Sequence, residues 1–184
     1  MKKTFVLIVL FVLPIIAYLF FASGVNNFGR LPTLTEGINE IDFPDNQVKF
    51  TDNITVLGFL GNSVELKKGN AFNLNQKIYK RFSEFRDFQF VMVMPTGTET
   101  KVAKLKSELS ALADVSKWKF VFLQPDGINQ LFNSLKTDLE LDDDLGTPYV
   151  FIIDKERNLR GRTEDEDVGT KFGFNTNSVA DLNN

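Results

Sequence analysis

The run of residues 88–94 places the tightest limit on how this chain can fold. Its sequence, Phe-Gln-Phe-Val-Met-Val-Met, is almost entirely apolar and is followed by Pro95. A strand with one face in water alternates apolar and polar residues, whereas a strand covered on both faces is apolar throughout. The run therefore predicts an interior strand of a sheet that has helices packed on both faces.

Strand and helix patterns alternate on either side of this run. Short apolar runs at 54–60, 118–123 and 149–153 predict three further strands. Between the strands, apolar residues recur at spacings of three and four, which is typical of helices with one buried face. The predicted buried positions are Ala71, Leu74, Ile78, Phe82 and Phe85 after a cap at Asn70, then Val102, Leu105, Leu109 and Leu112 within 98–113, then Ile128, Leu131, Phe132 and Leu135 after a cap at Asp126.

The last third of the chain predicts a closing hairpin and the start of another helix. Residues 154–158 favour a turn, so 159–162 can return antiparallel to the fourth strand. Alternating units that end in a hairpin predict an α/β fold with a mostly parallel sheet and right-handed crossovers. Ser178 begins a weak capping pattern, so 178–184 is predicted to be the first turn of a helix that the sequence leaves truncated.

The segment from Phe5 to Ala22 contains no charged residue and predicts a membrane-spanning helix. Its 18 positions, at a rise of about 1.5 Å each, cover roughly 27 Å, which is close to the hydrocarbon thickness of a bilayer. Lys2 and Lys3 precede the segment and no basic residue follows before Arg30, so the positive-inside rule keeps the N-terminus in the cytoplasm. The alternative is a cleaved signal peptide, whose apolar region is usually shorter.

These features divide the chain into three predicted regions. Residues 1–24 form a single-pass anchor in the inner membrane, 25–45 form a linker, and 46–184 form one extracytoplasmic or periplasmic domain. The formal net charge of −3 argues against nucleic acid and against anionic lipid headgroups as partners.

The chain contains neither cysteine nor histidine. Without cysteine it has no disulfide and no thiol nucleophile, and without histidine it lacks the commonest general base and the commonest metal ligand. Thiol chemistry and imidazole-dependent catalysis are therefore excluded for this protein.

The order of several short strings resembles the thioredoxin superfamily and, within it, the Sco family of membrane-anchored proteins linked to copper delivery and cytochrome oxidase assembly. The strings are Val56-Leu-Gly-Phe-Leu-Gly, Trp118-Lys-Phe with the helix after Asp126, and Phe151-Ile-Ile-Asp with Asn158-Leu-Arg-Gly. The resemblance covers 54–162. It implies a thioredoxin-like three-layer sandwich, with helices on both faces of the sheet and an antiparallel closing hairpin, preceded here by the transmembrane helix.

The functional residues of the Sco family do not carry over. That family holds copper with two cysteines four apart after the first central strand and a histidine before the hairpin, and the matching positions here are approximately Asn62, Leu66 and Gly146. Copper sites need thiolate, thioether or imidazole ligands, and thiol–disulfide exchange needs a thiolate. The resemblance therefore implies a scaffold with no catalytic residue, no metal site and no cofactor. Thr147-Pro148 resembles the cis-proline beside the active site of thioredoxin-like folds, and the alternative is a trans proline that starts a strand.

Three other groups of residues are candidates for a site. Met92 and Met94 lie two apart on a strand and could form a two-thioether copper site, although core packing is favoured. The acidic runs Asp142-Asp143-Asp144 and Glu164-Asp165-Glu166-Asp167 lack the alternating ligands and the central glycine of an EF-hand. These runs are predicted to be solvated loops or partner-facing patches.

The sequence thus predicts a redox-inactive domain that works through contacts. It would be an accessory subunit or assembly factor of an envelope complex, such as a respiratory one, with the membrane and protein subunits as partners and no small-molecule substrate. Binding would use the face around 61–66 and 146–148. Two alternatives stay open, namely an enzyme that uses carboxylates or a metal held by oxygen ligands, and a residual copper carrier that uses Met92 and Met94.

Overall fold

A computed structural model describes residues 3, 10–16, 31–40, 48–178 and 182. The chain divides into two units, Met1–Arg30 and Leu31–Asn184. In the first unit, residues 10–16 are α-helical, and most of the predicted anchor lies outside the described residues. Within the described part of the chain, no helix has the length and apolar character needed to cross a membrane.

The described part of the second unit contains nine strands and four α-helices. The strands are β1 (Thr33–Thr35), β2 (Ile54–Leu60), β3 (Phe88–Pro95), β4 (Trp118–Leu123), β5 (Gly146–Ile153), β6 (Leu159–Arg160), β7 (Arg162–Asp165), β8 (Gly169–Lys171) and β9 (Phe174–Asn175). The helices are α1 (Val64–Leu74), α2 (Lys80–Phe82), α3 (Glu99–Ser110) and α4 (Pro125–Ser134), and a π-helical turn, Asn75–Tyr79, joins α1 to α2.

The main sheet has the strand order β1-β6-β5-β2-β3-β4, with β9 also paired to β5. The four predicted strands and the antiparallel closing hairpin are confirmed. The pairings β2–β3 and β3–β4 are parallel, but β5 runs antiparallel to β2, so the sheet is mixed. The reason is that residues 135–145 carry the chain back to the carboxyl end of β2, where Gly146 is in register with Leu60.

Strand β3 is buried over its whole length, as its apolar sequence predicts. Its alternate residues point to two separate core clusters, because side chains along a strand alternate between the two faces. Phe90, Met92 and Met94 belong to the cluster that includes residues of α1 and α3. Val91 and Val93 belong to the cluster that includes residues of α4. Helices therefore cover both faces, and the architecture is a mixed α/β sandwich.

Helix α1 begins at Val64 and not at the predicted cap, Asn70. The residues after Val64 are largely polar because the first two turns face solvent, and only Val64 and then Ala71 are buried there. A spacing of seven residues between buried positions is too sparse to show a helical period in the sequence. Glu65 lies in the first turn, where its charge suits the positive end of the helix.

The predicted apolar stripe of this helix holds only for its first half. Ala71 and Leu74 are buried as expected, but Phe82 and Phe85 are 36% and 62% exposed. The π-helical turn, Asn75–Tyr79, lies between Leu74 and Phe82 and adds one residue to the helical turn. This extra residue rotates all later positions by roughly 100° about the helix axis. The inward face passes to Tyr79, whose ring packs against Phe90 and Trp118.

The other two helices have slightly different limits from the prediction. Helix α3 has Thr98 at its N-cap and ends at Ser110, so Leu112 lies beyond it and is 49% exposed. Helix α4 has Gln124 at its N-cap and Pro125 as its first residue. Asp126 therefore lies inside the first turn and is not the cap, because a proline is well suited to the first helical position.

The compact unit begins earlier than the predicted domain start. Residues 31–40 lie in the segment predicted as a linker, yet β1 pairs with β6 and the Thr35 hydroxyl donates to the Leu135 carbonyl at 2.7 Å. At the other end, β7, β8 and β9 precede the predicted last helix. Of that helix, only Ser178 and Leu182 are described, and the Leu182 N–H donates to the Ser178 carbonyl at 3.3 Å.

Candidate functional site

The carboxyl end of β2 and the first residues of β5 meet at one edge of the sheet. The Asn62 N–H donates to the Asp144 carbonyl at 2.9 Å, directly beside the pairing of Leu60 with Gly146. The two segments predicted to form a binding face, 61–66 and 146–148, are therefore brought together. We call residues 61–67 and 142–148 the β2–β5 edge.

Gly61 makes the close approach of these two segments possible. Its φ angle is +69°, a region that residues with a Cβ rarely adopt. A Cβ at this position would lie 2.5 Å from the Asp144 carbonyl oxygen and 2.9 Å from the Gly146 nitrogen. Only glycine lets the turn after β2 pack directly on the backbone of residues 144–146.

Side chains across the β2–β5 edge bind one another. The Lys67 ammonium lies 2.5 Å from the Asp142 carboxylate, and the Ser63 hydroxyl donates to the Asp144 carboxylate. The second oxygen of Asp142 accepts the Gly146 N–H at 2.8 Å. Lys67 of α1 and Ser63 at its N-cap are therefore each paired with a carboxylate of the loop before β5.

Electrostatics keep Asp142 ionised in this arrangement. Partial burial raises the pKa of Asp142, but the hydrogen bonds from Lys67 and from the Gly146 N–H outweigh that effect and hold the pKa below its ordinary value. A carboxylate that already accepts these donors does not act as a general acid near neutral pH. The pair stabilises the loop and supplies no reactive group.

The three positions that match the Sco metal ligands do not converge on an open site. Asn62 is exposed, and Leu66 is 86% exposed, so both side chains lie in solvent. The Lys67 ammonium occupies the space that a side chain on Gly146 would need. The sequence did not indicate that Lys67 belongs to this edge. The one available signal was that Lys67 follows Ser63, the N-cap of α1, by four residues, which is about one helical turn.

Pro148 is trans, and the described residues contain no cis peptide bond. The alternative interpretation, a trans proline within the start of a strand, is thus confirmed. The Pro148 carbonyl accepts hydrogen bonds from the N–H and the hydroxyl of Thr176, at 2.8 and 2.7 Å. Strand β9, which ends at Asn175, also pairs with β5 here. The chain itself therefore occupies the outer side of the first half of β5.

The acidic runs have structural roles that the sequence did not indicate. Asp142 and Asp144 hold the loop before β5 against α1, as described above. In the second run, the Asp165 side chain is only 7% exposed and lies 3.5 Å from the Lys171 ammonium and 3.6 Å from the Arg162 guanidinium. Burial raises the pKa of Asp165, but hydrogen bonds from Asp167 and Lys171 lower it by more, so the pKa lies below its ordinary value. Asp165 and Leu139 both line a cleft of about 170 Å³.

The remaining candidate ligands are two methionines that are closed off from solvent. Met92 and Met94 are both 0% exposed and pack in the core, as the favoured interpretation predicts. The Met92 sulfur lies against Gly58 of β2, where an added Cβ would be 2.8 Å away. Among the described residues, no group of three or more aspartates or glutamates is arranged to hold a metal ion.

Comparison with known proteins supports the fold. No family model matches the chain, and no curated protein matches it. Among solved structures, BsSco, described as a member of the Sco family of cytochrome c oxidase assembly proteins, matches with a TM-score of 0.52 and 10% identity over 83% of this chain and 94% of its own. A thioredoxin-family thiol:disulfide interchange protein from Chlorobium tepidum TLS has a TM-score of 0.48 and 18% identity, over 84% of this chain and 90% of its own. From its sheet topology and its likeness to BsSco, this cysteine-free chain has a thioredoxin-like fold.

Proposed function

We propose that this protein is a membrane-anchored, redox-inactive Sco-like or thioredoxin-like domain that serves as an accessory subunit or assembly factor of an envelope complex, such as a respiratory one. The observation that carries the proposal is the β2–β5 edge. There the Lys67–Asp142 ion pair and the Ser63–Asp144 hydrogen bond join the two segments to each other. A scaffold whose site is closed in this way works by contact with other proteins.

One exposed side chain supports contact at this edge. Leu66 projects from the first turns of α1 beside the paired residues, and it is 86% exposed. Transfer of a leucine side chain from water into a protein interface is favourable by about 1.5–3 kcal/mol. Leu66 thus has the position and chemistry of an anchor residue for a partner that covers the β2–β5 edge.

The two alternative functions receive less support. A copper carrier needs thioether ligands that a copper ion can reach, and both Met92 and Met94 are fully buried. An enzyme that uses carboxylates needs a convergent acidic group, whereas Asp142 and Asp144 of the β2–β5 edge are bonded to Lys67 and Ser63.

Purification of the tagged full chain from its native membranes in a mild detergent tests the proposal. We expect other proteins to migrate with it in stoichiometric amounts on a native gel and to be identified by mass spectrometry. Leu66→Asp should weaken this association. Leu112→Asp makes the same change at another exposed leucine, after α3, and should leave the association intact. A chain that migrates alone from native membranes would contradict the subunit assignment.

A further inference from the structure

A second exposed apolar surface lies at the end of the domain opposite the β2–β5 edge. Phe85 is 62% exposed, Ile54 is 41% exposed and Phe82 is 36% exposed. We call these three residues the aromatic corner. They lie at the amino ends of β2 and β3, whereas the β2–β5 edge lies at the carboxyl end of β2.

The aromatic corner is one continuous patch. The Phe82 and Phe85 rings stack with their centroids 6.1 Å apart, and Phe82 also contacts Phe88 at 6.1 Å. Ile54 is in register with Phe88 in the neighbouring strand. The π-helical turn produces this patch, because it rotates both phenylalanines out of the core that their spacing predicts.

Basic residues surround this patch. Lys80 and Arg81 precede Phe82, Arg86 follows Phe85, and the Lys117 ammonium donates to the Phe85 carbonyl. In the part of the chain that the structure describes, none of these four cations has a carboxylate within ion-pair distance.

Four acidic residues lie near these cations. Asp87 is bound by Lys155 at 2.7 Å, and that hydrogen bond lowers the pKa of Asp87. Glu84 is the other acidic residue between Lys80 and Phe88. Asp114 lies near Lys117, because hydrogen bonds from Ser116 and then the charge of Lys117 lower its pKa, and the exposed Asp52 precedes Ile54 by two residues. The four cations outnumber the three acids that Lys155 does not bind directly, so the corner has a small net positive charge, although the whole chain carries a net charge of −3.

We propose that the aromatic corner rests on the anionic surface of the lipid bilayer to which the chain is tethered, with Phe82 and Phe85 inserted at the headgroup level. Exposed apolar side chains flanked by cations match the chemistry of such a surface, which attracts Lys and Arg and accepts aromatic rings. The net charge predicts repulsion from anionic lipids, but headgroup attraction depends on local charge within a Debye length of about 8–10 Å.

Because the predicted anchor ties the domain to the bilayer, a patch as small as the aromatic corner is sufficient for membrane binding. This step rests on the membrane anchor of the proposed function. Residues 23–30 separate the predicted anchor from Leu31, and eight residues reach at most about 29 Å. A domain held this close to a bilayer experiences a high effective concentration of lipid, so a contact that is weak for a free domain is occupied in the tethered one.

The absence of cysteine allows a direct test on the full chain. Ser83→Cys places one nitroxide label between Phe82 and Phe85 without removing either ring. Thr100→Cys places a matched label on an exposed position in the first turn of α3, beyond the carboxyl end of β3. Each labelled chain is reconstituted in nanodiscs of phosphatidylglycerol and phosphatidylcholine. The collisional accessibility of each label to oxygen and to a water-soluble nickel complex is then measured by electron paramagnetic resonance.

The proposal predicts that the Ser83 label gains oxygen accessibility and loses nickel accessibility relative to the Thr100 label. This difference should decrease in phosphatidylcholine alone and in the Arg81→Gln, Arg86→Gln background. Equal, water-like accessibility at both labels overturns the docking and leaves the subunit assignment standing. Protection of the Ser83 label only in the purified native complex overturns it in favour of a protein contact. Failure of the chain to enter nanodiscs contradicts the anchor and, with it, the docking.

Discussion

The ammonium of Lys67 and a side chain on residue 146 would compete for one space, and in this protein Gly146 yields that space to Lys67. The ion pair with Asp142 depends on this arrangement, because the Asp142 carboxylate binds both Lys67 and the Gly146 N–H. The space beside the start of β5 is therefore filled by the cation of Lys67.

Gly146→Ala should displace Lys67 and destabilise the protein by about 1–3 kcal/mol, the usual cost of overpacking. Lys67→Ala removes the nearest competing group and leaves only the Leu60 carbonyl group, whose oxygen would lie 2.9 Å from a Cβ on residue 146. The two changes should therefore be less destabilising together than the sum of the single changes. Urea unfolding of the four proteins in this double-mutant cycle measures the coupling. Strict additivity would show that Lys67 does not occupy the space above Gly146.

Gly61→Ala should destabilise the protein more than Gly37→Ala does. Both glycines have a positive φ, of +69° and +66°, so both substitutions carry a backbone cost of about 1–2 kcal/mol. Only at Gly61 would the new Cβ meet backbone atoms of the loop before β5, while nothing lies within 4 Å of a Cβ on Gly37. Overpacking should add roughly 1–3 kcal/mol at Gly61 alone. Equal losses of unfolding free energy in urea would contradict the close approach of these segments.

Asp154 should stabilise the closing hairpin in a pH-dependent way. Its carboxylate accepts the Asn158 N–H at 2.7 Å and the Arg160 guanidinium at 2.5 Å. Burial raises the pKa of Asp154, but these hydrogen bonds outweigh it and lower the pKa below the ordinary 3.8. Asp154→Ala should cost roughly 1.5–3 kcal/mol near neutral pH.

The sign of the pH dependence follows from linkage. A group whose pKa is lower in the folded state stabilises the protein above its unfolded pKa, and that contribution is lost as the pH falls through the folded value. The difference in unfolding free energy between wild type and Asp154→Ala should therefore be constant above about pH 5 and shrink below about pH 4. Asp143→Ala, at an exposed carboxylate, is the control and should change stability little at any pH. A difference that grows in acid would contradict this role.

Asn75→Leu should stabilise the protein by about 1–3 kcal/mol. Asn75 is 0% exposed, and neither its amide nitrogen nor its amide oxygen has a hydrogen-bond partner. Leucine of similar size removes the cost of burying these two groups. Asn73→Leu is the matched control on the same helix, because the Asn73 amide donates to the Thr176 carbonyl at 3.0 Å, and this change should destabilise. Thermal unfolding compares the two variants, and a lower melting temperature for Asn75→Leu would mean that its amide is satisfied in solution.

Elements with many buried residues could be predicted from the sequence, and elements with few buried residues could not. Strand β4 was predicted at the limits that the structure shows, 118–123, because all of its residues except Lys119 are apolar. The first turns of α1 were missed, since a helix that buries Val64 and next Ala71 shows no period over a short window. The outward position of Phe85 was also missed, because no local pattern marks the π-helical turn that produces it.

The candidate site was predictable in location but not in content. The resemblance to the thioredoxin superfamily placed the two segments on one face. They meet because β5 runs antiparallel to β2, so that the start of β5 lies beside the carboxyl end of β2. The pairing of Lys67 with Asp142 was not predictable, since the residues are 75 positions apart and each also suits a solvated surface. Contacts between distant charged side chains depend on backbone register, which a single sequence does not display.

The pairing of β1 with β6 also governs when the domain can finish folding. Thr33 is in register with Arg160, so the first strand of the sheet has no partner until the chain has grown by more than a hundred residues. Contacts between residues so distant in sequence form slowly, because a long loop must close before they contribute any stability. Strands β2, β3 and β4 can pair as soon as residue 123 has been made, whereas β1 stays unpaired until residues 159 and 160 follow. The first strand of the sheet in sequence is therefore among the last to be fixed in the fold, and until then its backbone groups are open to other partners.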